Sequence, residues 1–297
     1  MTTGPSLAKV TSPSELPPLG DVIAALSLNA KKSLSQNFIL DLNLTQRIAR
    51  SGGPLQGRTV VEIGPGPGGL TRGLLMQGAE RVIAIEKDER CQPALEQIGD
   101  AWPGRLETHF GDALSIDIPE LLGTNAGPVT IAANLPYAIA TKLLTGWLET
   151  NPWPPWFDTM VLMFQQEVAE RITADTNTKA YGRLAVLAGW RTQSDIVLRL
   201  RPDAFVPPPK VSSAVVLLKP KQPDGPSISA ARLSAVTAAA FGQRRKMLRQ
   251  SLKSLTPMAE LLCKKADVEP TARAETLSVA DFVRLTSAWE TALNSSD

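Results

Sequence analysis

The feature that most constrains the fold of this chain is a regular alternation of short apolar runs with helical patterns, beginning at Thr59. The predicted strands are 59–64, 81–86, a short third strand ending near Asp112, and 129–133, and the predicted helices are 69–77 and 88–98. Strand–helix alternation at this spacing is typical of a doubly wound, mostly parallel sheet. We therefore expect an α/β fold.

The later part of the chain adds edge strands and then contains helical patterns alone. The pattern predicts a strand running into a helix in TMVLMFQQEVAERI, a helix in YGRLAVLAGW, antiparallel edge strands in Pro207–Pro209 and VSSAVVLLKP, a long helix at 230–254, and shorter helices near 258–265 and 279–293. A Pro- and Gly-rich linker precedes the last helices. We expect a flexible leader at 1–20, an α/β domain at 21–220 and a small all-helical C-terminal domain at 221–297.

The chain is poor in the side chains that several classes of enzyme need. Its 297 residues include two cysteines, Cys91 and Cys263, and one histidine, His109. These numbers argue against a disulfide framework, a Cys/His metal cluster and a hydrolase triad, so we expect no metal. No stretch of roughly 18 apolar residues occurs, and we expect no membrane span. The expected compartment is a reducing cytoplasm.

Charge is distributed unevenly, although the net charge is only +2. Residues 201–265 contain 12 Lys and Arg residues against 3 Asp and Glu residues. Such a block is usually a solvated face, but its concentration in one segment also favours a polyanionic partner.

A glycine-rich loop after the first predicted strand suggests a site for a nucleotide cofactor. Glycines such as Gly64 and Gly66 let the backbone approach a ligand closely at the carboxyl ends of the strands. Glu86 ends the second strand, where its carboxylate can accept hydrogen bonds from ribose hydroxyls, and Asp112 is placed to accept one from an adenine amine. Two prolines in the loop argue against a pyrophosphate, which favours S-adenosylmethionine over NAD. We therefore expect a Rossmann-like S-adenosylmethionine methyltransferase domain.

The tetrapeptide Asn134-Leu135-Pro136-Tyr137 follows the fourth predicted strand and indicates the substrate. An amide oxygen and a backbone carbonyl can accept both hydrogens of an aromatic amine, and Tyr137 can stack on a flat base. Positioning and electrostatics then suffice without a strong general base. The alternative is a strand-to-helix turn in which the asparagine caps and the tyrosine packs. Phe205 is a candidate second stacking wall or, equally, a core residue of an edge strand.

The chain resembles small-subunit ribosomal RNA adenine dimethyltransferases of the bacterial KsgA type from about Lys31 to Val283. The motifs that carry the resemblance are KKSLSQNFILD, VVEIGPGPGGLT, VIAIEKD, GDAL, ANLPY, MFQQEVAERI, YGRLAV, FVPPPKVSSAVV, FGQRRKMLRQSL and RAETLSVADF. Ile39 stands where the family often has Leu, and Ala133, Ala138 and Ala140 flank the intact tetrapeptide in place of commoner residues. The change at Ile39 is mild because the expected contact there is made by the backbone. The intact tetrapeptide argues that activity is kept, and the loss of polar flanking residues is expected to affect only the helix cap after the loop.

The resemblance implies an enzyme that dimethylates two adjacent adenines near the 3′ end of 16S rRNA during small-subunit maturation, leaving S-adenosylhomocysteine as the product. It places cofactor contacts on Asn37, Ile39, Gly64, Gly66, Glu86, Asp112 and Asn134, and substrate contacts on Asn134, Leu135, Pro136 and Tyr137. It also favours RNA contacts for the basic residues Arg244, Arg245, Lys246 and Arg249, which we expect on one helix, over a solvated helix face. The expected partner is 16S rRNA in the small subunit or its precursor, and we expect a monomer.

Three alternatives remain open on the sequence alone. The first is methylation of adenine in 23S rRNA, and the second is an NAD-dependent oxidoreductase, which would leave Asn134–Tyr137 unexplained. The third is a mainly non-catalytic assembly factor that binds immature small subunits.

Overall fold

The structure is a computed structural model that describes residues 7–28, 36–124 and 127–294. These residues form two compact units. The first consists of the residues up to Leu143 with Trp156–Ala169 and Asp195–Lys219, and the second consists of Leu144–Pro155, Glu170–Ser194 and the residues from Pro220 onward. Two predicted features lie partly outside the described residues. They are the KKSLSQNFILD motif, of which 31–35 is not described, and the leader, of which 1–6 is not described.

A seven-stranded sheet organises the first unit. Its strands are β1 (Thr59–Ile63), β2 (Arg81–Glu86), β3 (Leu106–Phe110), β4 (Val129–Asn134), β5 (Thr159–Gln165), β6 (Thr192–Leu200) and β7 (Ser213–Pro220), in the order β3-β2-β1-β4-β5-β7-β6. β1 pairs in parallel with β2 and β4, and β7 runs antiparallel to β5. This confirms the predicted mostly parallel sheet with antiparallel pairing toward one edge. All five residues of β1 are buried, as expected for an interior strand of such a sheet.

Helices connect these strands and also form the last part of the chain. They are α1 (Leu19–Ala25), α2 (Leu42–Ala49), α3 (Gly69–Met76), α4 (Gln92–Ala101), α5 (Ile118–Leu122), α6 (Tyr137–Glu149), α7 (Gln166–Ile172), α8 (Arg183–Arg191), α9 (Ala230–Gly242), α10 (Leu248–Ser251), α11 (Ala259–Lys265) and α12 (Val279–Asn294). Asp41 caps α2 by accepting hydrogen bonds from the Asn43 and Leu44 amides. This cap starts α2 directly after the Asn37–Ile39 segment that the sequence predicted to bind a cofactor.

Strand β6, Thr192–Leu200, was not predicted. Its sequence, TQSDIVLRL, carries polar residues at several positions, and its side chains alternate between buried and more exposed positions. A strand at the edge of a sheet has one side free of neighbouring strands, so it tolerates more polar side chains than a central strand. Its sequence therefore lacks the continuous apolar run that predicts an interior strand.

The predicted helix at 230–254 was wrong in extent, because α9 ends at Gly242. Gln243–Met247 forms a turn, which we call the basic turn, and α10 begins at Leu248. Met247 has extended backbone angles and forms an isolated β-bridge with Arg273, and the Leu248 amide donates to the Ala272 carbonyl. These long-range backbone hydrogen bonds replace the helical ones that the local pattern predicted.

The described part of the predicted leader, residues 7–20, belongs to the first unit and contributes to its core. Val10 is 4% exposed and belongs to the main apolar cluster. Pro13–Glu15 forms a 3-10 helix, and α1 begins within the predicted leader at Leu19. Burial of these apolar side chains stabilises the contact of this Pro-rich segment with the rest of the unit.

Candidate active site

A cavity of about 180 Å³ lies where strands β1, β2 and β4 end at their carboxyl ends. This is the edge at which α/β sheets of this kind bind ligands. It is lined by all ten residues predicted for the cofactor and the tetrapeptide, namely Asn37, Ile39, Gly64, Gly66, Glu86, Asp112, Asn134, Leu135, Pro136 and Tyr137. The structure therefore brings these ten residues together around one space.

The glycine loop has the backbone conformation that the sequence suggested. Gly64 and Gly66 have φ angles of 68° and 56°, a left-handed region that side-chain-bearing residues rarely adopt. A Cβ atom on Gly66 would also lie 3.0 Å from the Phe38 ring. A side chain at this position would therefore strain the loop and crowd the wall of the cavity.

Glu86 is held by backbone amides at the end of β2. Its Oε2 accepts a hydrogen bond from the Gly66 amide at 2.8 Å, and its Oε1 accepts from the Lys87 and Asp88 amides, each at 2.8 Å. Burial raises the pKa of Glu86, and these three amide donors oppose that rise. A carboxylate has about four acceptor positions, so the three amides orient Glu86 and leave room for about one further donor, such as a ribose hydroxyl.

Asp112 lies at the more open part of the cavity. Its Oδ2 forms an ion pair with Lys87 Nζ at 2.8 Å, and its Oδ1 accepts a hydrogen bond from the Leu114 amide. The hydrogen bond from Lys87 lowers the pKa of Asp112 most strongly, so this carboxylate is ionised at neutral pH. Lys87 also lines the cavity and was not among the predicted site residues.

The side chain of Asn134 is fixed in one orientation by the loop that contains Asn37. Its Nδ2 donates to the backbone carbonyl oxygen of Asn37 at 2.9 Å. A carbonyl oxygen only accepts hydrogen bonds, so the amide nitrogen must face Asn37 and the amide oxygen must point elsewhere. Asn134 therefore presents an acceptor, as the tetrapeptide hypothesis requires.

Tyr137 is anchored at its hydroxyl end by a residue that the sequence analysis did not single out. Its hydroxyl and the hydroxyl of Ser213 lie 2.7 Å apart and share a hydrogen bond. Ser213 is fully buried at the start of β7, and burial raises the pKa of Tyr137. The Pro136 carbonyl accepts from the Ile139 and Ala140 amides, which begins helix α6 directly after the tetrapeptide.

Glu62 is a further buried acid in the cavity wall that the sequence analysis quoted without giving it a role. It is 1% exposed and accepts a hydrogen bond from the Thr71 hydroxyl at 2.7 Å. Burial raises the pKa of Glu62 to about 8. Its position on β1, two residues before Gly64 of the glycine loop, is the signal that would have identified it.

Similarity to known proteins identifies the family to which this chain belongs. A sequence model of the family described as ribosomal RNA adenine dimethylase matches residues 27–290. The chain belongs to this family. Proteins named ribosomal RNA small subunit methyltransferase A are similar to it, including one from Xanthobacter autotrophicus at 62% identity, covering 91% of this chain and 93% of the relative, and one from Azorhizobium caulinodans at 58%, covering 93% and 94%.

Solved structures support the fold of this family member. A dimethyladenosine transferase from Plasmodium falciparum superposes with a TM-score of 0.69 at 25% identity, covering 84% of this chain and 96% of that one. The 23S rRNA methyltransferase ErmE superposes with a TM-score of 0.65 at 24% identity, covering 86% and 100%. At that identity, the second likeness shows the fold alone.

Phe205 is not available as a second stacking wall in this family member. It is 2% exposed and belongs to the main apolar cluster. The adjacent residue Val206 exchanges two backbone hydrogen bonds with Phe38, which ties the Phe205 segment to the Asn37–Ile39 loop. Phe205 thus supports the cavity from the core, and Phe38 is the phenylalanine that lines it.

The basic residues predicted to bind RNA do not share one helix face. Arg244 to Lys246 lie in the basic turn, and Arg249 lies in α10. Arg244 Nε pairs with Glu275 at 2.8 Å, and its Nη2 donates to the Thr178 carbonyl. Arg245 and Lys246 are exposed, and Arg249 is half-buried. Arg244 therefore has a role in the fold of the second unit, whereas Arg245 and Lys246 extend toward solvent.

The described residues lack the features of two other kinds of site. Within 7–28, 36–124 and 127–294, no group of three or more His, Cys, Asp or Glu residues is arranged to hold a metal ion. In the same ranges, no helix has both the length and the apolar character needed to cross a membrane.

Proposed function

We propose that this protein transfers methyl groups from S-adenosylmethionine to the exocyclic amines of two adjacent adenines near the 3′ end of 16S rRNA. The products would be dimethyladenosines and S-adenosylhomocysteine. The observation that carries the proposal is the fixed orientation of Asn134, whose Nδ2 is held by the Asn37 carbonyl. This orientation presents the amide oxygen, which an amine substrate needs, beside a cavity suited to an adenosine-containing cofactor.

The residues around the cavity fit S-adenosylmethionine. Gly64 and Gly66 provide a loop without side chains, and Glu86 supplies an oriented carboxylate for the ribose. Asp112 supplies an ionised carboxylate for the adenine amine. Asn37 and Ile39 would complete the cofactor contacts, since both residues line the cavity. When bound, S-adenosylmethionine supplies an electrophilic methyl group on a sulfonium.

The tetrapeptide would position the target adenine. The Asn134 amide oxygen would accept one hydrogen of the amine, which shifts electron density toward the nitrogen. The Pro136 carbonyl already accepts two amides of helix α6, so the Leu135 carbonyl is the better candidate for the second hydrogen. Tyr137 would stack on the base with its ring held by Ser213. Electrostatic preorganisation of this kind requires no strong base.

The base must leave any helical stack to reach the cavity. Binding of the surrounding RNA would then depend on phosphate contacts by exposed basic side chains. Arg245 and Lys246 fit this role because they are exposed. We further propose that the protein acts as a cytoplasmic monomer on the small subunit or its precursor.

The experiment is tritiated methyl transfer from S-adenosylmethionine to unmethylated small subunits, with large subunits and free RNA in parallel. Product nucleosides would be identified by mass spectrometry. We expect dimethyladenosine from small subunits alone. Methylation of large-subunit RNA would instead support 23S rRNA as the substrate, and binding without transfer would support a non-catalytic assembly factor.

A further inference from the structure

The first described segment of the chain reaches the cofactor cavity. We call residues 7–26 the N-terminal strap. Leu19, the first residue of helix α1, is 4% exposed and lines the cavity next to the glycine loop. The family match begins at residue 27, so the strap lies outside the matched region.

Leu19 packs where helix α3 begins. A Cβ atom on Gly69, the first residue of α3, would lie 2.5 Å from the Ile39 carbonyl oxygen and 3.1 Å from Leu19 Cδ2. Leu19 and the Ile39 carbonyl therefore both pack against Gly69, and no side chain would fit at that position. Because Ile39 and Gly69 also line the cavity, Leu19 belongs to the same wall.

A buried arginine holds the strap in this position. Arg72 lies on α3, one turn after the glycine loop, and is 2% exposed. Its Nη1 donates to the Pro17 carbonyl at 2.7 Å, two residues before Leu19. Its Nε and Nη2 are buried with no hydrogen-bond partner among the described residues. Burying a cation with so few hydrogen-bond partners costs free energy, and losing the bond to Pro17 would increase that cost. The bond therefore favours the observed position of the strap.

Two further contacts hold the strap farther from the cavity. Gln97, which is 4% exposed on helix α4, donates from Nε2 to the Ala8 carbonyl at 2.7 Å. Val10, Val22 and Leu26 are buried in the same apolar cluster as residues of α3 and α4. The strap is therefore attached along its length, and the Arg72 bond lies closest to the residue that lines the cavity.

We infer that Leu19 of the N-terminal strap is an additional cofactor-contacting residue and that Arg72 positions it by holding the adjacent part of the strap. The inference rests on the proposed use of S-adenosylmethionine. Leu19 would cover the part of the cofactor beside the glycine loop and exclude water from it. Arg72 would act through the strap without touching the cofactor.

The test is calorimetric titration of the full-length protein with S-adenosylhomocysteine. We expect Leu19→Ala to raise the Kd about fivefold or more, because an apolar contact with the ligand is lost. Leu26→Ala is the matched control, since Leu26 is buried in the same strap but does not line the cavity. It should lower the melting temperature comparably and leave the Kd within about twofold of wild type. An equal Kd for the two variants would overturn the inference.

A second pair of variants tests the positioning role. Arg72→Met should raise the Kd, and adding it to Leu19→Ala should raise the Kd no further, because both changes act through one contact. Arg105→Met is its control, since Arg105 also donates to backbone carbonyls, those of Leu75 and Ala79, away from the cavity. Additive effects of Arg72→Met and Leu19→Ala would exclude the positioning role.

If Arg72→Met does not fold, the comparison of Leu19→Ala with Leu26→Ala tests the role of Leu19 by itself.

Two outcomes separate this inference from the proposed function. A wild-type protein that does not bind S-adenosylhomocysteine would contradict the proposed cofactor itself. A wild-type protein that binds it, with an unchanged Kd for Leu19→Ala, would contradict only the role of the strap.

Discussion

Two polar side chains of the cavity, Glu86 and Asn134, are held by backbone groups, whereas two cations of the basic turn, Arg245 and Lys246, are exposed. In the cavity, Glu86 accepts from three backbone amides and Asn134 donates to a backbone carbonyl. In the basic turn, Arg244 pairs with the side chain of Glu275, while Arg245 and Lys246 are exposed. Backbone partners move only if the fold moves, so the cavity is preorganised. The two exposed cations remain free to adapt to a partner.

This comparison predicts a large and specific loss when the orienting amide of the cavity is removed. Asn134→Ala should lower the rate of methyl transfer about 10³-fold, because the acceptor for the target amine is lost. Binding of RNA should remain close to wild type. Asn43→Ala, at an exposed asparagine on α2, is the control. Equal loss of transfer and RNA binding would contradict the role given to Asn134.

The next largest effect is expected at the amide-bound carboxylate. Glu86→Ala should raise the Kd for S-adenosylhomocysteine about 10- to 100-fold, since hydrogen bonds to a charged group contribute about 1.5–3 kcal/mol. Calorimetry measures the affinity, and Glu86→Gln, which keeps one acceptor oxygen, should show an intermediate value. Glu89→Ala removes a nearby exposed carboxylate and serves as the control. An unchanged Kd for Glu86→Ala would remove this residue from the cofactor site.

A smaller effect is expected at the hydroxyl pair that holds Tyr137. Tyr137→Phe and Ser213→Ala should each lower kcat/KM for small subunits about three- to tenfold, as expected for one neutral hydrogen bond. The double variant should be no worse than the more severe single variant, because both changes remove the same bond. Affinity for S-adenosylhomocysteine should not change. Additive losses would show that the two hydroxyls act separately.

The smallest effects are expected in the basic turn, and they sharpen the comparison most directly. Arg245→Ala and Lys246→Ala should each weaken RNA binding a few-fold and reduce the slope of log affinity against log salt concentration by about one. Arg244→Ala should lower the melting temperature with little change in that slope, because its guanidinium is paired within the protein. A large change of this slope for Arg244→Ala alone would instead assign the RNA contact to Arg244 and not to Arg245 or Lys246.

The sequence predicted the residues of the cavity correctly but not the end of the helix before the basic turn, and the difference has a physical reason. In the cavity, Gly64, Glu86 and Asn134 follow the ends of neighbouring parallel strands, so the order of elements alone brings them to one edge. In the second unit, local helical propensity continued through Gly242. The chain instead turned there to form a bridge between Met247 and Arg273. Contacts distant in sequence overrode the local preference.

The sequence by itself determined the α/β architecture, the cavity edge and the chemical types of the side chains placed there. The tertiary structure alone decided which partners orient them. The Asn134–Asn37 bond joins residues 97 positions apart, the Tyr137–Ser213 bond joins residues 76 apart, and the Arg72–Pro17 bond joins residues 55 apart. Strand periodicity and loop composition are local properties, whereas these bonds depend on how distant segments pack together. The same packing places Phe205 in the core and brings Leu19 of the N-terminal strap to the cavity wall.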